Sequence, residues 1–259
     1  MSGANSRTAS VANPRKDRVS IMGVPFSKMD LDETIRHFTE LANRSERGMY
    51  HVVTANPEIV MSASKDPSLM KILHEAGIIT PDGIGIVKAA KWKGEPVPGR
   101  VTGYDMLLRL LEQGNRDRWS FYFLGTDEET NRKAVEAIAA RYPNVKIAGR
   151  HNGFFGADRE PAIVEEIAAA SPDFLIVAMG APHAERWIYR NKPKLNVKLV
   201  MGVGGSLDIL AGKVKRAPDF WIKLNIEWLY RLLSNPSRWR RQLVLPIFAV
   251  KAFLHRNDR

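Results

Sequence analysis

Along residues 19–202 of this chain, short apolar runs alternate with longer stretches in which apolar residues recur every three or four positions. The runs at 19–24, 49–54, 78–80, 120–124, 145–148, 174–178 and 198–201 have strand length and predict β-strands, the first ended by Pro25. Between them the spacing predicts helices. One opens at Asp30 with Glu33 three residues on, a capping box, and carries Leu31, Ile35, Phe38 and Leu41 on one face. Others start at Pro57 and Pro67, run from the loop Pro81-Asp82-Gly83-Ile84-Gly85 through Lys91, and cover 106–113, 128–141, 161–170 and 184–189. Strands alternating with helices predict an α/β domain: a mostly parallel sheet with helices on both faces. After Gly212 the strand signals stop, and the remainder predicts helices divided at Pro218, Pro236 and Pro246. The chain thus reads as a polar, disordered arm (1–18), a body (19–212) and a helical appendage (213–259), without internal repeats.

Composition supports a packed core: 44% of the 259 residues are hydrophobic. There is no cysteine, which excludes disulfides, thiolate metal sites and thiol nucleophiles. The charge map is lopsided. Residues 213–259 hold eleven Lys and Arg against three acids, +8 of the formal +11, and residues 1–18 add +3, so the body is neutral. The appendage also carries Trp221, Trp228 and Trp239. Basic, aromatic and apolar together point to nucleic acid or to an anionic membrane surface. A neutral body without RRM, KH or helix-turn-helix signatures speaks against nucleic acid. The longest uncharged, largely apolar run near the end, 242–250, has nine residues, against about 20 for a spanning helix. The expectation is a protein that lies on a membrane and does not cross it. The arm lacks the apolar segment of a signal peptide.

In parallel α/β sheets the functional groups gather beyond the carboxyl ends of the strands. The sequence places Thr54-Ala55-Asn56, Asp82-Gly83, Gly125-Thr126, Gly180-Ala181-Pro182 and Gly202-Val203-Gly204-Gly205-Ser206 there. Glycine-rich strand-to-helix turns present backbone N–H groups to phosphate. The last of them lacks the third glycine of the dinucleotide fingerprint and no Walker A motif exists, which disfavours a dehydrogenase or a P-loop NTPase. The six histidines show no zinc spacing, and no nucleophile elbow accompanies them; His183 beside a candidate loop is a candidate ligand contact, with an ordinary loop histidine as the favoured reading. Asp30-Leu31-Asp32 matches a metal-holding DxD pattern, but at a helix start capping and dipole roles explain both acids. Asp82, between Pro81 and Gly83, is the best lone candidate for a general base, with an Asx-type turn cap as the competing reading.

Several motifs occur in order from about residue 20 to 245: Thr54-Ala55-Asn56-Pro57-Glu58, Pro81-Asp82-Gly83, Arg100-Val101-Thr102-Gly103-Tyr104-Asp105, Gly180-Ala181-Pro182 with Glu185 and Trp187, Gly202-Val203-Gly204-Gly205, and Arg216-Ala217-Pro218 with Glu227-Trp228-Leu229-Tyr230-Arg231. In these the chain resembles the WecG/TagA/CpsF glycosyltransferases. The resemblance implies a Rossmann-like, metal-independent, inverting enzyme without cofactor. Such an enzyme moves an N-acetylmannosamine-like sugar, its uronic acid or glucose from a UDP-sugar to an undecaprenyl-diphosphate-linked sugar in cell-surface polysaccharide synthesis. It would work as a peripheral protein on the cytoplasmic face of the bacterial inner membrane.

By the same resemblance Asp82 corresponds to the catalytic base, Thr54 and Asn56 to active-site pocket residues, and Arg100 to an active-site arginine. Asp105, Gly180, Pro182, Glu185, Gly202, Gly204 and Gly205 fall among the substrate-binding positions, and Arg231, Arg238 and Arg241 where appendage arginines meet the acceptor's lipid diphosphate. Ala184 stands where the family usually has Gln, which removes an amide from the pocket and leaves the donor sugar open. The other classes are a nucleic-acid binder and a noncatalytic membrane-associated scaffold; the appendage helices could also self-associate off the membrane.

Overall fold

The computed structural model describes residues 17–234, 239 and 243–256. The chain enters through a hairpin, β1 (Arg18–Ile21) and β2 (Val24–Ser27), which corrects the expectation of one strand over 19–24. Met22 and Gly23 both take positive φ (49° and 84°), the requirement of a two-residue hairpin turn. Pro25 therefore lies inside β2, opposite Ser20, in a ribbon short enough to tolerate its missing N–H.

The main sheet has six strands in the order β4-β3-β8-β7-β5-β6: β3 (Tyr50–Ala55), β4 (Ile78–Pro81), β5 (Ser120–Gly125), β6 (Lys146–His151), β7 (Phe174–Ala178) and β8 (Leu199–Gly202). Every pairing in it is parallel. Both faces are buried, so the central strands are largely apolar and successive residues enter different cores. Val52, Phe121, Phe123, Ile176 and Met201 pack under α1 (Leu31–Ala42), α5 (Gly103–Asp117) and α6 (Glu128–Arg141). Val53, Ala55 and Ile79 face the other way, onto α2 (Pro57–Ala63), α3 (Pro67–Glu75) and α4 (Ile84–Trp92). Tyr122, Leu124, Val177 and Val200 pack on α7 (Glu160–Ala170) and α8 (His183–Asn191). Each such buried Val, Leu, Ile, Phe or Met side chain contributes about 1.5–3 kcal/mol.

From β3 the chain passes outward to β4, and from β5 outward to β6 on the opposite edge; it then returns through β7 to β8, beside β3. The order reverses at the middle of the sheet, and in folds of this kind ligands bind in the crevice beyond the carboxyl ends of the strands there.

The C-terminal part holds α9 (Ser206–Leu210), α10 (Asp219–Lys223), α11 (Glu227–Ser234) and α12 (Val244–Leu254). Asn225, at φ 61°, separates α10 from α11 without a proline. Pro246, expected to divide helices, follows residues 240–242, which lie outside the described ones. It sits in the first turn of α12, where its missing N–H has no intrahelical partner to lose. Pro236 lies outside the described residues. Phe248 and Ala252 of α12 are buried in the core formed with α2 and α4, while Leu243, Ile247, Val250 and Leu254 are exposed. Among the described residues no helix is long and apolar enough to cross a membrane.

Candidate active site

The site is built where four segments end together. At β3, Thr54 is buried, and its hydroxyl donates to the Gly202 carbonyl of β8 at 3.2 Å. Two residues on, Asn56 caps α2: its Oδ1 accepts the Ile59 N–H at 3.0 Å, and Pro57 follows at the first helical position.

Asp82 follows β4, and its N–H donates to the Ala55 carbonyl at 3.0 Å. Gly83 comes next at φ 112°, a conformation open to glycine and strained for other residues, and it starts α4. The chain returns at Val101, whose N–H donates to the Pro81 carbonyl at 2.8 Å, so Arg100 and Asp82 sit on one lip. Thr102 then caps α5, accepting the Asp105 N–H and donating to the Asp105 carboxylate at 2.8 Å. Gly103 lies so close to Thr54 that a Cβ there would stand 3.2 Å from Oγ1.

The third segment follows β7. Gly180 (φ 74°), Ala181 and Pro182 lead into α8, whose first turn carries Ala184 and Glu185. Glu185 is 3% exposed, and its Oε1 packs against Gly202, where a Cβ would come within 3.1 Å. Among the described residues its Oε2 has no hydrogen-bond partner, and burial pushes its carboxyl up to about 7. Ala184, also buried, faces the same glycine.

The fourth segment follows β8. Gly204 (φ 52°) and Gly205 are exposed, and a Cβ on Gly205 would meet the Asp208 carboxylate at 3.2 Å. Asp208 accepts from Thr126 Oγ1, beyond β5, at 3.1 Å.

Ion pairs tie the C-terminal segment to this rim. Lys213 reaches Asp127, the cap of α6, at 2.6 Å, and with Thr130 holds its carboxyl well below the usual range. Arg216 pairs with Asp105 and lies 4.8 Å over the Tyr104 ring. Glu227, in the first turn of α11, accepts from Arg100 at 2.9 Å.

Of the expected site residues, Thr54, Asn56, Asp82, Arg100 and Asp105 are thus grouped around the ends of β3 and β4 and the start of α5. Gly180, Pro182 and Glu185 join them through Gly202, and Gly204 and Gly205 form the adjoining turn. Arg231 lies on α11, one turn after Glu227, whereas Arg238 and Arg241 lie outside the described residues. Asp30 caps α1 and Asp32 pairs with Arg109, as capping and surface roles require. Among the described residues no cluster of three or more His, Asp or Glu side chains is arranged to hold a metal ion. Sequence reasoning missed Asp208 altogether, and it quoted Arg216 and Glu227 without giving them a role. An acid in so basic a stretch was the available signal for Glu227.

A buried tether between β3 and β8, an acid and an arginine on one lip, and two exposed glycines at a strand end suit a ligand with a phosphate and a transferable group. A family model described as the glycosyl transferase WecG/TagA/CpsF family matches residues 19–259. Among curated relatives, an N-acetylglucosaminyldiphosphoundecaprenol N-acetyl-beta-D-mannosaminyltransferase of Bacillus spizizenii is 35% identical over 230 residues, 89% of this chain and 88% of its own length. A protein of the same description from Bacillus subtilis is 38% identical over 199 residues, 77% of each chain. Another, from Staphylococcus aureus, is 35% identical over 235 residues, 90% of this chain and 91% of its own.

Proposed function

Because this chain belongs to the glycosyl transferase WecG/TagA/CpsF family and is a glycosyltransferase, we propose that it transfers an N-acetylmannosamine-type sugar from UDP to N-acetylglucosamine on undecaprenyl diphosphate, with inversion and without a metal. The relatives' names specify a β-linked mannosaminyl product and that acceptor. An α-linked nucleotide sugar giving a β-linked product is inversion at the anomeric carbon.

The observation that carries this reading is the shared lip of Asp82 and Arg100, held by backbone bonds from Asp82 to Ala55 and from Val101 to Pro81. In a single displacement the acceptor hydroxyl oxygen bonds to the anomeric carbon as the bond from that carbon to the UDP oxygen breaks. Its proton goes to the Asp82 carboxylate, and the bonding pair leaves with the β-phosphate. Without a metal the departing charge needs donors. Arg100 and the backbone N–H groups of the turn after Gly202 can supply them, each charge-assisted bond contributing about 1.5–3 kcal/mol. Thr54 and Asn56 line the acceptor side of the base, and Arg231, Arg238 and Arg241 meet the lipid diphosphate.

The outer face of α12 supports a peripheral position on the membrane. Leu243, Ile247, Val250 and Leu254 form an exposed apolar stripe at helical spacing, beside the Trp92–Phe253 ring pair. The excess of Lys and Arg in the same segment adds attraction to an anionic leaflet, about 1 kcal/mol for each residue near the surface. A cytoplasmic face follows from the location of nucleotide sugars.

The test is UDP release from a panel of UDP-sugars, with a short-chain lipid-diphosphate-GlcNAc acceptor and no added metal. Acceptor-dependent release from UDP-N-acetylmannosamine is the expected result. Release from a different donor would reassign the sugar to the pocket left by Ala184, and silence across the panel would overturn the reading.

A further inference from the structure

Among the described residues three ion pairs fasten residues 213–227 to the rim of the crevice, and one differs from the others in polarity. In Lys213–Asp127 and Arg216–Asp105 the C-terminal segment supplies the cation and the body the acid. In Arg100–Glu227 the body supplies the cation and the segment the acid. Glu227 is one of three acids among 47 residues that hold eleven Lys and Arg, yet its carboxylate is directed at an arginine 127 positions earlier in the chain. The two side chains are 18% and 16% exposed, so this pair is largely withdrawn from water.

Burial gives the pair its meaning. A guanidinium so far withdrawn from water is costly without a counter-ion, and carboxylate and phosphate oxygens present the same acceptor geometry to its fork of N–H groups. Arg100 immediately precedes Val101, which is hydrogen-bonded to the Pro81 carbonyl next to Asp82, so its counter-ion stands at the lip of the crevice. We propose that Glu227 is the resident counter-ion of Arg100, occupying the position that a diphosphate takes on binding, and that the exchange of one anion for the other releases the first turn of α11. This rests on the reading that Arg100 faces the nucleotide diphosphate. The released helix carries Arg231 one turn further on, so arrival of the donor would free the element that meets the acceptor.

The test uses the full chain, with UDP as the probe. Calorimetry on wild type and Glu227→Gln, both checked for folding by circular dichroism, should show UDP bound three- to tenfold tighter by the variant, because Gln does not compete as an anion. Hydrogen exchange on the wild type alone supplies a second measurement. UDP should speed exchange of residues 227–234 toward the rate seen in the ligand-free variant. Unchanged or weaker UDP binding by Glu227→Gln would overturn the proposal, leaving Glu227 as a tether or an orienting group. Slowed exchange of α11 on adding UDP to the wild type would overturn it too. Arg100→Ala separates the two levels. If it leaves UDP affinity unchanged, the reading of Arg100 fails and the exchange fails with it. If it weakens binding while Glu227→Gln does not strengthen it, only the exchange fails.

Discussion

The hydroxyl of Thr54 donates to the carbonyl of Gly202 across the junction of β3 and β8, at 3.2 Å. Gly103 backs it closely, so the hydroxyl is wedged between the start of α5 and the end of β8. Thr54→Val keeps the shape and removes the bond, which costs about 1 kcal/mol. A thermal midpoint lower by about 2–4 °C is expected, with transfer reduced because the β8 turn loses its anchor. An unchanged midpoint and unchanged turnover would mean the bond is incidental.

Asp82→Asn preserves size and backbone bonding while removing the proton acceptor. Turnover should fall about 10²–10⁴-fold, the range associated with a single general base, with UDP affinity within a factor of two or so. Rapid-quench measurement of transfer alongside calorimetry checks both halves. Turnover at the wild-type level would remove Asp82 from the chemistry.

Glu185 predicts a pH dependence of stability. Its carboxyl is raised by burial to about 7 in the folded chain, against an ordinary value of 4.5. Between these values the folded state holds a proton that the unfolded state has released, so stability falls as pH rises from about 4.5 to 7 and is flat above. The full loss is about 3 kcal/mol. Glu185→Gln cannot ionise and should be more stable than wild type at pH 8 by an amount of that order, with the gap closing toward pH 4.5. Urea titrations of both proteins at several pH values read this directly, and parallel curves would contradict it.

Ile247→Asp with Val250→Asp places two charges on the exposed stripe of α12 without touching Phe248 or Ala252, which face the core. The double variant should keep the wild-type melting temperature and lose most of its co-sedimentation with anionic vesicles. Full retention on vesicles would assign the membrane contact elsewhere.

Much of this was legible from residue patterns, and the exceptions have physical causes. The strand runs at 120–124 and 174–178 fall within one residue of β5 and β7, because strands buried on both faces are largely apolar. The hairpin at Met22 and Gly23 was not legible: methionine gives no turn signal, and six residues of strand character mask the reversal. Pro246 lies where a helix tolerates proline, in its first turn. The motifs at Thr54, Asp82 and Arg100 come together in the fold, the first two at strand ends and the third beside Val101, which bonds to Pro81. The Arg100–Glu227 and Thr126–Asp208 contacts span 127 and 82 positions. Separations of that size are set by the sheet order, which spacing along the chain does not reveal.

The sheet order also bears on how the protein comes into being. The inner neighbour of β3 is the last strand of the sheet, with Tyr50 paired to Leu199, so the two are far apart in synthesis and adjacent in space. On a growing chain β3 and β4 are made early, but one edge of β3 stays unpaired until Gly202 has been added. Closing so long a loop is entropically slow, and an exposed apolar edge invites association with other chains in the meantime. The crevice, which needs both β3 and β8, is therefore the last part of the body to be completed. A chain cut short before β8 has no partial activity to lose.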